Sequence, residues 1–235
     1  MSASQQMGIS FKTVAAGDPN FANVILLAMN DNAADATTTF IDQSSAARTL
    51  TTVGNAQYDD ATKPSGMTTS GLFDGAGDYL TAASSADFAY GTGDFTWEVF
   101  IYATAGLWTT GNFYILDHGS NGGVLFYQLN TIRYYNATTG TLSTLYTDGG
   151  AIAASTWTHV AVSRASGTTK LFVGGVEKAS ASDSHNYGTQ TATIAEYGGL
   201  GDFEFTGNLA CMRVTKGTAR YTAGFTPPTL PLPTS

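Results

Sequence analysis

Four glutamates, three histidines and one cysteine bound the chemistry open to this chain. Hydrolysis of a glycoside with retention needs two carboxyls about 5 Å apart, one acid and one nucleophile. The glutamates are Glu98, Glu177, Glu196 and Glu204, and no two stand two or four apart on one strand. Gly198, Gly199 and Gly201 put turn chemistry between Glu196 and Glu204. A nucleophilic triad is no better supported. His118, His159 and His185 supply imidazoles, but no Gly-x-Ser-x-Gly elbow accompanies them. His159, beside Val160, reads as a packed, hydrogen-bonded residue of a strand, and His118 and His185 read as loop residues. The lone Cys211 excludes an internal disulfide and a Cys-rich metal site. Catalysis is therefore not expected, with a glycoside hydrolase the least favoured reading.

Aromatic residues offer the stronger lead. Trp108, Tyr114, Tyr127, Tyr134, Tyr135, Tyr146 and Tyr187 gather in the middle of the chain. Aromatic faces stack on sugar rings, while Arg133, Asn136 and Asp117 could bond hydroxyls. Trp108 sits between Gly106-Leu107 and Thr109-Thr110-Gly111, a loop context that makes it the first choice for an exposed contact. The expected contact set for a glycan or a protein partner is Trp108, Asp117, Arg133, Tyr134 and Tyr135. Core or subunit packing is the competing use of the same rings.

The elements that must position these residues are strands. Charged residues make up 12% of 235, about half the share common in soluble domains, and Thr, Tyr, Phe and Gly abound. That composition suits pleated surfaces and turns and argues against a helical bundle. With 10 basic and 18 acidic residues the net charge is −8, so a nucleic-acid partner is not expected. No apolar stretch reaches the ~20 residues of a membrane helix, and residues 1–17 do not read as a secretory signal. Val24–Met29 reads as a buried strand, Thr49–Val53 as another, and Phe95–Tyr102 alternates with aromatics on both faces, as a strand covered on both sides would. Val173-Gly174-Gly175-Val176 predicts a two-residue hairpin loop. Gly-x-Gly-Asp-aromatic occurs at Gly75–Tyr79, Gly91–Phe95 and Gly199–Phe203. The copies lie far apart, so they read as turns held by Asp rather than as tandem calcium repeats. Roughly a dozen short strands separated by turn signals predict an all-β, two-sheet sandwich.

Several blocks of residues go further. They are Phe73-Asp74-Gly75-Ala76-Gly77-Asp78-Tyr79-Leu80, Phe88 to Glu98, Trp157-Thr158-His159-Val160-Ala161, Leu171 to Gly175, and Met212 to Thr222 with Phe225-Thr226-Pro227-Pro228. Together they resemble the laminin-G-like, concanavalin A-like lectin domain of tailed-phage virion structural proteins. The resemblance implies a two-sheet antiparallel jelly-roll that binds glycans or proteins and is usually not an enzyme. It also implies a calcium ion near one sheet edge. Against the ion, Ala210 and Cys211 stand where the family carries an Asp-Glu pair, and Gly174 stands where it carries Asp. Asp31, Asp35 and Asp42 are the remaining calcium candidates, and the expectation is a fold with no cofactor.

The expected organisation is an arm over residues 1–17, a sandwich over 18–226 and a Pro-rich tail over 227–235. Ile9, Phe11, Leu230 and Leu232 make the arm and the tail candidates for contacts with other chains. The expected role is a non-enzymatic structural protein on the virion surface (decoration, fibre or appendage). Its partners would be other virion proteins and further copies of itself as a homo-oligomer. The alternative is a glycan-binding host-recognition module whose partner is a cell-surface glycan.

Overall fold

The computed structural model describes residues 17–104, 112–119, 122–128, 131–138, 141–146, 152–198 and 203–235. Within them the chain forms β1 (Val24–Ala28), β2 (Leu50–Val53), β3 (Gln57–Asp59), β4 (Ser70–Asp74), β5 (Tyr79–Ser85), β6 (Phe95–Ala103), β7 (Asn112–Asp117) and β8 (Gly123–Gln128). It continues with β9 (Thr131–Thr138), β10 (Thr141–Tyr146), β11 (Thr158–Ala165), β12 (Thr168–Val173), β13 (Val176–Ser182), β14 (Gln190–Ile194) and β15 (Thr206–Lys216). The first sheet runs β13-β12-β11-β6-β15-β4-β3, with β1 also paired to β15; the second runs β10-β9-β8-β7-β14-β5-β2. The described pairings of named strands are antiparallel. This is the two-sheet antiparallel sandwich that the sequence predicts. No described helix is long and apolar enough to cross a membrane.

Alternation explains how the layers meet. On β6, Phe95, Trp97, Val99 and Ile101 enter the core between the sheets. Thr96, Glu98, Phe100 and Tyr102 point to the opposite side. That outer side is covered too, because residues 218–235 form a strap lying across it. Leu232, 2% exposed, packs with Val24, Leu27, Met67, Ala210 and Cys211. Asn30 donates from Nδ2 to the Leu232 carbonyl at 3.0 Å and accepts from its N–H at 2.8 Å. Asp18 N–H donates to the Ser235 carbonyl at 2.6 Å. Within one chain the tail therefore seals its own sandwich, with Leu232 buried and Leu230 half-buried against it. Residues 1–16, with Ile9 and Phe11, lie outside the described residues.

Glycines sit where the turns demand them. Gly174 and Gly175 take φ of 60° and 77° between β12 and β13, the two-residue loop expected of Gly-Gly. Gly75 and Gly77 turn the chain from the first sheet to the second, and Asp78 holds that turn by accepting from Asn55 N–H at 2.6 Å and Asp74 N–H at 3.1 Å. Asp94 accepts from Ser166 N–H at 2.8 Å. The turn reading of these two motifs is the one the geometry supports. In the third copy, Gly199 to Asp202 lie outside the described residues.

Candidate functional site

Two sites emerge, one on each outer face. Beneath the strap, Glu98 of β6 is 1% exposed and accepts from three directions. His159 Nε2 lies 3.0 Å from Oε2, Tyr221 Oη donates to Oε2 at 2.7 Å, and Arg213 Nε donates to Oε1 at 2.8 Å. Register brings them together: Glu98 pairs with Arg213 of β15 and Ala161 of β11, while His159 is one outward step away opposite Phe100. Asp18 extends the cluster, 3.0 Å from Arg213 and 2.7 Å from Arg220. Burial opposes ionisation of Glu98, but His159, Arg213 and Tyr221 outweigh it and hold the carboxyl down at about 2. Burial likewise opposes a charge on Asp18, and Arg220 beside it wins, keeping it below the usual carboxylate range. A fully bonded carboxylate under a strap offers no proton and no access. Its work is to pin the strap to the sheet.

On the outer face of the second sheet the surface is aromatic. Tyr114 of β7 pairs in register with Phe126 of β8, which pairs with Arg133 of β9. The rings of Tyr114 and Phe126 stack at 5.2 Å, and those of Phe126 and Tyr135 at 4.9 Å. Phe126 is 2% exposed yet belongs to neither buried apolar cluster, because its neighbours on the face cover it. After β14 the chain folds back over this face. Ala195 and Phe203 take φ of 72° and 63°. Tyr197 packs on Tyr114 at 4.6 Å, and Phe203 lies 5.9 Å from the same ring. Tyr197 is 37% and Phe203 48% exposed. Stacking consumes the faces inside the ladder, so among the described residues the exposed aromatic surface of this face concentrates at Tyr197 and Phe203.

The residues singled out by sequence divide between these layers. Arg133 and Tyr135 lie half-buried on the outer face of the second sheet. Tyr134 does not. It points into the core, 1% exposed, with its hydroxyl 2.8 Å from that of Tyr187. Alternation along β9 requires that Tyr134 and Tyr135 part. Asp117 is 2% exposed and accepts from Gly119 N–H at 2.7 Å. Gly198 N–H also donates to it, so the carboxylate holds the returning segment down and presents nothing to a sugar. Burial and the nearby Glu196 carboxylate push Asp117 up to about 6. Asn136 is buried and spends its amide on Asp183 at 2.7 Å. Trp108 lies outside the described residues.

His118 follows the end of β7 in a loop, as the sequence predicts, but it does not face solvent. It is fully buried, stacked on Trp97 at 4.4 Å, with Nδ1 3.3 Å from Tyr90 Oη. Burial pushes its pKa down to about 3. His159 is the packed strand histidine that the sequence predicts.

The calcium candidates do not meet. Asp42 accepts from the N–H groups of Leu27, Ser44 and Arg48 at 2.8–2.9 Å. Asp31 is occupied by Thr68 and by Thr69 N–H at 3.2 Å. Asp35 instead lies with Asp59 and Asp60, the carboxylate group among the described residues close enough to share an ion. Asp35 already accepts from Asp60 N–H, and Asp59 from Ala61 and Thr62 N–H, so the local turn explains the grouping.

Two antiparallel sheets stacked face to face, with an aromatic surface on one outer face, make this a lectin-like β-sandwich. A family model described as the concanavalin A-like lectin/glucanases superfamily matches residues 74–219, and the chain belongs to that family. No curated protein matches it in sequence. Among solved structures, the receptor binding domain of botulinum neurotoxin C/D mosaic serotype superposes with a TM-score of 0.66 at 15% identity, covering 85% of this chain and 49% of its own. The botulinum neurotoxin serotype D binding domain gives 0.65 at 15% identity, covering 86% and 50%. The binding domain of botulinum neurotoxin DC in complex with SialylT gives 0.62 at 12% identity, covering 84% and 49%. At these identities the likeness is one of fold, and this chain spans about half the length of each.

Proposed function

We propose that the chain is a non-enzymatic recognition module that holds a carbohydrate against the outer face of its second sheet. The observation that carries this reading is the exposed pair Tyr197 and Phe203, fixed against the Tyr114–Phe126–Tyr135 ladder. Apolar ring faces held rigidly at a surface suit the C–H face of a pyranose, and Arg133 in the same row suits its hydroxyls. Membership of a lectin family and likeness to receptor binding domains, one of them complexed with SialylT, support the same reading. The absence of catalysis is part of the proposal. Glu98 is locked under the strap, and Asp117 and Glu196 are sealed below the surface, so none of them reaches a glycosidic oxygen.

The setting proposed is the surface of a phage particle, as a decoration, fibre or appendage subunit. The sequence blocks around Trp97, Trp157 and Arg213 support it, and mass spectrometry of purified particles tests it. The sugar reading is tested on an array of immobilised glycans. Wild-type protein should give a defined set of positive glycans that Phe203→Ala loses while remaining folded. An array blank for the wild type, with the chain abundant in particles, would favour a purely structural subunit.

A further inference from the structure

The seat of the strap has the construction of a peptide clamp. Asn30 bonds the backbone of Leu232 in both directions, from Nδ2 to its carbonyl and at Oδ1 from its N–H, while Oδ1 also accepts from Cys211 Sγ at 3.1 Å. A neighbouring antiparallel strand gives the same two-way exchange. The Leu232 side chain fills a pocket made by Val24, Leu27, Met67, Ala210 and Cys211. The seat is built on a backbone held out of its ordinary conformations. Met29, Asp31 and Cys211 take φ of 55°, 60° and 51°, a region that side-chain-bearing residues avoid. Cys211 N–H donates to the Met29 carbonyl at 2.9 Å, and Thr69 N–H donates to the Asp31 carboxylate at 3.2 Å. These bonds lie within the body of the sandwich, so the body shapes the seat. Such over-determined outliers mark ligand clamps.

The strap itself is a separable piece. Its first part is pinned at Phe225, whose N–H donates to the Gly175 carbonyl at 2.9 Å and whose ring stacks on Tyr221 at 3.6 Å. Pro227-Pro228 then carry the chain towards the seat. Beside them runs a groove of about 490 Å³ lined by Pro64, Phe100, Trp157, Pro228 and Leu230, leaving room for an extended segment to approach.

We propose that this seat is a peptide-recognition site, and that it accepts residues 227–235 from a second copy of the chain, so that copies join by exchanging straps. The occupant is argued from the seat's own contents. The segment that fits Asn30 and the Leu232 pocket in one copy is identical in every copy. Exchange preserves every contact and costs only the association entropy and the opening of the hinge. It is therefore governed by concentration, and is favoured wherever copies are crowded side by side.

Cys211 is the only cysteine and lies beneath Leu232, so its thiol reports whether the seat is filled. In the full chain carrying Leu232→Ser, modification of Cys211 under native conditions should run about tenfold faster than in wild type. A synthetic peptide of residues 226–235 should slow it again in a saturable way. The same peptide with Leu232→Asp should not, and Asn30→Ala in the protein should abolish the protection. If Leu232→Ser fails to fold by circular dichroism, the wild-type chain is titrated with the fluorescent peptide and read by anisotropy, alongside sedimentation over a concentration series. Saturable peptide binding and a concentration-dependent dimer support exchange. Cys211 reactivity indifferent to the peptide, or no anisotropy change together with a monomer at every concentration, overturns it.

Discussion

The two outer faces of the sandwich are made from the same kind of strand and end in opposite states. On the first sheet, Glu98, His159 and Arg213 point outward, and Tyr221 and Phe225 from the strap close over Glu98 and His159. Charge there is buried, and every member of the Glu98 cluster is tied to a partner from another strand. On the second sheet, Tyr114, Phe126 and Tyr135 point outward and are covered mainly by one another. Among the described residues, the returning segment with Tyr197 and Phe203 lies over them, and it leaves those two rings half in solvent. The difference shows how a sandwich assigns its faces. Polar groups that would be costly to bury alone are completed by the chain's own strap. The apolar rings of the other face are covered in part by one another, with Tyr197 and Phe203 left partly exposed.

The sealed face should break hardest. Arg213→Leu removes the cation while Glu98 stays buried, and such a half-pair costs about 3–5 kcal/mol. Urea denaturation should register that loss, and Glu98→Gln in the same chain should recover part of it. Leu232→Ala comes next, at about 2–3 kcal/mol, because it empties an apolar pocket that is near the surface and can partly relax. Loss of the same size from Phe203→Ala would erase the distinction between the faces.

Acid should separate the faces by sign. Glu98 is held near 2, below its unfolded value of 4.5. Its contribution is present above pH 4.5 and is lost as pH falls from there towards 2. Asp117, under the open face, is raised from 3.8 to about 6. The folded chain binds that proton first, so this group favours folding as pH falls from 6 towards 4 and opposes it above 6. Asp117→Asn should therefore raise stability at pH 7 by on the order of 1 kcal/mol and give nothing below pH 4. His118, at about 3 against 6.5 unfolded, acts the other way. Its stability is complete above pH 6.5 and drains as pH drops, so His118→Gln should flatten the melting temperature between pH 6.5 and 4.5.

The smallest stability effect belongs to Phe203→Gly. A phenylalanine at φ 63° is strained, and glycine relieves it. The change should leave stability within about 1 kcal/mol of wild type or raise it. A clear loss would mean that Phe203 is packing rather than surface.

Much of this was legible in the sequence, for reasons that are local. The alternation at Phe95–Tyr102 announces a strand covered on both sides, and β6 is that strand. Val173-Gly174-Gly175-Val176 dictates its hairpin. The site was half legible. Tyr135 and Arg133 share a face by period, and the same rule sends Tyr134 inward. What sequence could not give is whatever depends on distant pieces meeting. Glu98, Arg213 and Asp18 are joined by register and by a strap over a hundred residues away. Tyr197 and Phe203 reach the ladder on a segment that turns left-handed at Ala195, Gly198 and Phe203; Gly198 signals a turn in the sequence, but Ala195 and Phe203 do not. The Pro-rich tail reads as an outward extension, yet its Leu232 finds a pocket prepared by Cys211 and Met67.

We propose that recognition lies on the open face and integrity on the sealed one. The direct test is affinity for an array-selected glycan, measured for Phe203→Ala and Leu232→Ala at a temperature where both remain folded. Phe203→Ala should lose about tenfold or more in affinity, with its melting temperature unchanged. Leu232→Ala should lower the melting temperature and keep its affinity. Retained binding in Phe203→Ala, with binding lost in a folded Leu232→Ala, would contradict the claim.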